Sequence, residues 1–92
     1  GNEINLLDVI EQEQVDIVER MEAEDQIGHL PELIRGRLSD REKQIIVLRY
    51  GLAGGQEVTQ REIGKRLGIS RSYVSRIEKR ALEKLKNGYE AI

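Results

Sequence analysis

Cysteine, phenylalanine and tryptophan are absent from this 92-residue chain, and proline, histidine and methionine each occur once. Without cysteine there is neither a disulfide framework nor a thiolate metal site. One histidine does not build a histidine-rich metal site, and His29, between Gly28 and Leu30, has no Ser or Cys beside it to form a catalytic dyad. No apolar run reaches the roughly eighteen residues that a membrane-spanning helix needs. β-branched alternation never lasts long enough for a strand. Gly54 and Gly55 do not make a phosphate-cradling loop, because no Gly-Lys-Ser/Thr follows and no strand precedes them. With no nucleophile–base pair, metal set or cofactor loop, the sequence names no catalytic residue and no cofactor. A signal-peptide pattern and an initiator methionine are also missing, so the expectation is a piece of a longer protein. A chain this short holds one small domain with a thin core.

What is present is charge, unevenly placed. Residues 1–30 carry nine acids against one base (Arg20), a net of −8, while residues 31–58 are at +1 and residues 59–92 reach +5 with nine bases. An acidic front and a basic rear suggest a C-terminus that faces nucleic acid and an N-terminus with another task.

Helical patterning dominates, and the fold class read from it is all-α, a small helical domain. Residues 1–13 hold an apolar cluster (Ile4, Leu6, Leu7, Val9, Ile10) and then acids, which reads as an extended arm or a short frayed helix. Val15, Val18, Met21 and Ile27 repeat at helical spacing. Pro31 suits a first helical turn, so either a second helix carrying Leu33, Ile34 and Leu38 begins there or one helix kinks there. Ser39-Asp40-Arg41-Glu42 is a capping box, opening a helix that buries Ile45, Ile46 and Leu48 and closes at Tyr50-Gly51. Capping accounts for both Asp40 and Glu42. Thr59-Gln60-Arg61-Glu62 is a second capping box, for a short helix that ends at Gly68, and Ser70 caps a last helix running to about Asn87, before Gly88.

Residues 59–87 therefore have the layout of a helix-turn-helix. Two helices are separated only by Gly68, Ile69 and Ser70; Gly64 leaves room for a close approach; Ile63, Leu67, Ile69, Val74 and Ile77 form the shared apolar set. On the last helix Val74, Ile77, Ala81 and Leu85 face inward, whereas Arg71, Ser72, Ser75, Arg76 and Lys79 face outward with Arg80 at one flank. Such a helix reads bases in the major groove mainly with its N-terminal residues. Arg71 and Arg76 have the fork for guanine, and Ser72 and Ser75 are short enough for a deep approach. Thr59, Gln60 and Arg61 lie at the preceding helix N-terminus, which favours a phosphate. Lys65, Arg66, Lys79, Arg80 and Lys84 suit phosphate contacts, as does the Tyr73 hydroxyl. The competing reading is a solvated face: Glu83 can pair with Lys79 or Arg80, and Glu62 with Lys65 or Arg66. Arg71 and Arg76 have no acid three or four residues away on their own helix.

The run LSDREKQIIVLRYGL, followed by TQREIGKRLGISRSYVSRIEKRALEKL, resembles the C-terminal region 4 of bacterial sigma-70 family sigma factors, most of all the sporulation members of the sigma-K and sigma-E type. GNEINLLDVI is similar to the segment after their region 3.2 linker. The resemblance implies an arm or linker at 1–13 and a region 4 domain at 14–92. It implies reading of the promoter −35 element, with Arg71, Ser72, Ser75 and Arg76 at base-reading positions and Arg61 and Lys79 near backbone contacts. Housekeeping members tend to carry Glu and Arg where this chain has Ser72 and Ser75, which implies an alternative promoter class. Docking on the β flap tip of RNA polymerase is also implied, with Leu33, Ile34, Leu38 and Ile46 as candidates that core packing explains equally well. The acidic N-terminal stretch resembles the linker that runs toward the RNA exit channel. Without region 2 such a piece does not open a promoter. The implied setting is cytoplasmic and monomeric, with no membrane and with an anti-sigma factor as a further partner. The alternatives are the effector domain of an autonomous regulator, or an anti-sigma or polymerase interaction module.

Overall fold

The computed structural model of the chain describes residues 6–25 and 28–91. They form five helices: α1 (Leu6–Glu24), α2 (Leu30–Arg37), α3 (Asp40–Tyr50), α4 (Gln60–Leu67) and α5 (Arg71–Glu90). No strand occurs among the described residues, and the architecture is all-α, as the sequence suggested. Ile27, and Ile4 with the rest of residues 1–5, lie outside the described residues.

The helices start and stop for local reasons. Asp25 accepts from the backbone N–H groups of His29 (3.0 Å) and Leu30 (2.9 Å). That carboxylate and Pro31 in the first turn open α2 as a separate helix, so there is no single kinked helix here. The Ser39–Glu42 capping box is complete: the Glu42 N–H donates to Ser39 Oγ (3.3 Å) and the Ser39 N–H donates to Glu42 Oε1 (2.8 Å). Gly51 closes α3 in the left-handed conformation, φ +63°, which costs glycine little. At α4 only half of the expected box exists. Thr59 Oγ1 accepts from the Glu62 N–H (3.2 Å), but the Glu62 carboxylate lies instead 3.4 Å from Arg66 Nε.

Two expectations need correction. Residues 6–13 are neither an extended arm nor a short frayed helix; they are the first turns of an unbroken 19-residue α1. The last helix does not stop at Asn87 either. α5 continues to Glu90, and Gly88 is inside it because α2 packs there: a Cβ on Gly88 would lie 2.8 Å from side-chain carbons of Leu33 and Arg37.

α5 is the central element and touches each of the other four helices. One apolar cluster joins Val18 of α1, Leu30 and Ile34 of α2, Leu38, Ile46 of α3, and Ala81, Leu82 and Leu85 of α5. The other supports the helix-turn-helix with Ile45, Ile63, Val74 and Ile77, flanked by Leu48, Val58, Leu67 and Ile69. Burying one such side chain contributes roughly 1.5–3 kcal/mol. Ile34, Leu38 and Ile46, three of the four flap-docking candidates, are therefore core residues, and Leu33 is half-buried against the same cluster.

Candidate nucleic-acid interface

The turn between α4 and α5 sets how the two helices cross. Gly68 ends α4 with φ +70°, and the Ile69 N–H returns to the Gly64 carbonyl (3.0 Å). A Cβ on Gly64 would stand 2.7 Å from the Ile69 carbonyl oxygen, so the close approach is between Gly64 and the turn itself. Ser70 Oγ then accepts from the Tyr73 N–H (3.1 Å) and starts α5.

From this frame Ser72, Arg76, Lys79 and Arg80 extend into solvent on α5, and Arg61, Lys65 and Arg66 do so on α4. Tyr73 is 48% exposed, and the Arg76 guanidinium lies over its ring, 5.9 Å from the centroid. That cation–π contact holds Arg76 at the open surface. Thr59 is exposed, with its hydroxyl oxygen engaged as the α4 cap.

Four of the expected contact residues are placed differently. Ser75 is only 6% exposed and does not face outward. Its position, four residues after Arg71 and three before Glu78, puts it on the stripe that neighbouring elements cover. The Gln60 side chain is fully buried; its amide donates to Gln14 Oε1 (3.1 Å) and to Glu78 Oε1 (2.9 Å). Arg71 has a side chain only 13% exposed, paired with Asp8 and, at 3.1 Å, with Glu11, both on α1. The acids that its own helix does not place three or four residues away come from 60 and 63 positions earlier in the chain. Lys84 is also engaged elsewhere: its ammonium donates to Glu42 Oε1 at 2.8 Å, tying α5 to the α3 capping box.

Beneath this surface runs a buried polar seam that sequence reasoning missed. Glu11 Oε1 accepts from the Gln60 N–H (2.7 Å) and lies 3.2 Å from Arg49 Nε. Arg49 Nη1 donates to the Val58 carbonyl (3.2 Å). Tyr50 donates its hydroxyl to Glu78 Oε2 (2.5 Å), and Arg49 Nε stands 3.7 Å from the other Glu78 oxygen. Burial pushes the Glu78 carboxyl above its ordinary value, and burial beside Glu78 pushes the Tyr50 hydroxyl up as well. Burial opposes charge at Glu42 too, but the hydrogen bonds from Lys84 and Ser39 outweigh it and hold that carboxyl below its ordinary value. The one available signal for the seam was the excess of acid in residues 1–30 opposite the excess of base in 59–92.

A three-residue turn between two helices, with a basic open row on the second, defines a helix-turn-helix DNA-binding domain. Residues 36–87 match the Sigma-70, region 4 family, more than half of the chain, and the chain belongs to that family. It is 51% identical over 85 residues to the RNA polymerase sigma-28 factor of Bacillus thuringiensis subsp. kurstaki, covering 92% of this chain and 35% of that protein. It is 52% identical over 85 residues to the RNA polymerase sigma-K factor of Bacillus subtilis strain 168, covering 92% of this chain and 29% of that protein. Over 50 residues, 54% of this chain and 21% of its relative, it is 56% identical to the RNA polymerase sigma-E factor of Clostridium acetobutylicum. The chain thus spans about a third of the length of the first two relatives. Region 4 is a DNA-binding family and not a catalytic one. No helix of the described residues is long and apolar enough to cross a membrane.

Proposed function

We propose that this chain is the promoter-reading domain of a sigma factor, in which α5 enters the major groove of a −35-type element. The observation that carries the reading is Arg76, held open by Tyr73 beside Ser72, Lys79 and Arg80. Arg76 reads a base, Ser72 approaches base edges, and Lys79, Arg80, Arg61 and Tyr73 take phosphates. Thr59 lies at the rim of the same surface. A bidentate Arg–guanine pair contributes about 1–3 kcal/mol of discrimination. Relatives named as RNA polymerase sigma factors support polymerase core as the second partner. With Leu38 and Ile46 in the core, flap docking falls to the surface groove beside α2 that Pro31, Ile34, Val47 and Leu52 line, where Ile34 is largely buried and Leu52 is 40% exposed. Likeness to sigma-K and sigma-E, and Ser72 at a position where housekeeping members tend to carry Glu, favour a sporulation promoter class read in the cytoplasm.

Selection from a duplex library at two salt concentrations tests this reading. The expected result is enrichment of one −35-like hexamer, with Arg76→Ala costing about 5- to 100-fold on that hexamer and much less on random duplex. Equal losses on both would make Arg76 a phosphate contact and remove base reading from it.

A further inference from the structure

The first turns of α1 bring the chain's acids onto its own DNA-facing helices. Both Glu11 oxygens are engaged: Oε1 with the Gln60 N–H (2.7 Å) and Arg49 (3.2 Å), Oε2 with Arg71 (3.1 Å). Asp8 holds the same Arg71 guanidinium. Gln60 is the first residue of α4, so its N–H has no partner within the helix. A helix N-terminal N–H without an intrahelical partner, flanked by two guanidinium groups, is the donor set that a phosphate oxygen takes. Arg71 Nε is buried without an acceptor, so the carboxylates do not saturate that guanidinium.

The hold on these turns is chiefly polar. Leu6 is 72% exposed and Val9 is also exposed, Leu7 and Ile10 are half-buried, and the fully buried apolar anchors of α1 are Val15 and Val18. The first turns can therefore leave while the rest of α1 stays in the core. Residues 71, 75 and 78 lie on the α5 stripe that adjoins α1 and α4, and Gln14 reaches Glu78 through Gln60. DNA seated against Arg71 and the α4 N-terminus would bring its phosphates onto Asp8 and Glu11, where like charges repel.

We propose that Asp8 and Glu11 are a built-in competitor for DNA phosphate. They occupy the site formed by the Gln60 N–H, Arg71 and Arg49, so the described conformation is a closed one, and DNA binding requires release of the first turns of α1. This rests on the DNA-reading function proposed above. The apparent dissociation constant of a closed domain exceeds the intrinsic one by the inverse of its open fraction.

The test compares the 92-residue chain with two charge-matched double variants, Asp8→Asn with Glu11→Gln, and Asp16→Asn with Glu19→Gln on the exposed side of the same helix. Binding to the selected duplex and to random duplex is read by anisotropy, and amide hydrogen exchange is followed in the same samples. The expected result is about tenfold or greater tightening for the first pair, less than about threefold for the second, and faster exchange of the α1 amides near Glu11 in the unaltered chain when duplex is added. Equal tightening in both pairs, or α1 amides that DNA leaves unchanged or protects, overturns the closed form and leaves DNA reading intact. If the first pair shows released α1 amides and still binds no duplex, DNA reading fails and the closed form fails with it. Exchange in the unaltered chain needs no variant, so it decides the question even where a double variant fails to fold.

Discussion

One stripe of α5 stands open and its neighbour is covered, although both start within the helix's first five residues. Ser72, Arg76, Lys79 and Arg80 are in solvent, whereas Arg71, Ser75 and Glu78 lie under α1 and α4. Composition does not separate them, since each stripe has an arginine and a serine. Their angular position does. Residues 74, 77, 81 and 85 form the apolar stripe, and 71, 75, 78 and 82 follow the same spacing one step around the helix. A helix packed on one layer buries one stripe; α5 contacts four helices and buries two. The reading surface is what remains after the other elements have docked.

The largest expected effect removes the support that both stripes share. Ile63 is fully buried in the helix-turn-helix cluster, so Ile63→Ala should cost about 2–5 kcal/mol in urea unfolding and weaken DNA binding through loss of fold. A loss below about 1 kcal/mol would mean that the cluster does not hold the two helices together. A sharper contrast comes from the two arginines. Arg76→Ala should leave the unfolding free energy within about 0.5 kcal/mol of wild type while impairing specific binding. Arg71→Ala should lower stability by about 1–2 kcal/mol, between the ranges for exposed and buried ion pairs. Matching unfolding midpoints for both variants would erase the distinction between the stripes.

Acid titration separates the covered stripe from the α3 cap by sign. Burial raises the Glu78 carboxyl above its ordinary 4.5. The unfolded chain gives up that proton at a lower pH than the folded chain, so stability falls as pH rises from about 4.5 toward the raised value. At Glu42 the carboxyl is lowered, so its contribution is present above the ordinary 4.5 and is lost as pH falls through the lowered value. Glu78→Gln should therefore flatten the decline on the upper side, read as unfolding midpoints across pH; profiles parallel to wild type would show that Glu78 titrates alike in both states. The smallest effect is at Lys84, which is 41% exposed. Lys84→Ala should cost less than about 1 kcal/mol of stability and leave the salt dependence of DNA binding unchanged. A salt slope lower by about one would return Lys84 to the phosphate-contacting surface.

Much of the fold was legible because its signals are local. The Ser39–Glu42 box, Gly51, Gly68 and Ser70 each act within a few residues of themselves, and each sits at a helix end where the sequence placed it. The α1 start was not legible, because Asp8 and Glu11 find their partners about sixty residues along the chain. Gly88 misled for a related reason. A glycine near a helix end reads as a stop, yet here it is the space that Leu33 and Arg37 of α2 need.

By itself the sequence determined an all-helical chain, the capped helices that open after Ser39, Thr59 and Ser70, the three-residue turn over Gly64, the apolar set beneath it and a basic C-terminal third, since helix caps, helical periodicity and charge are properties of neighbouring residues. Only the tertiary structure decided which basic and polar side chains stay free. Arg71, Ser75, Gln60 and Lys84 have the same chemistry as residues that remain open. What distinguishes them is a carboxylate or a packed helix brought alongside by folding, and a buried charge without such a partner carries a desolvation cost that an exposed one avoids.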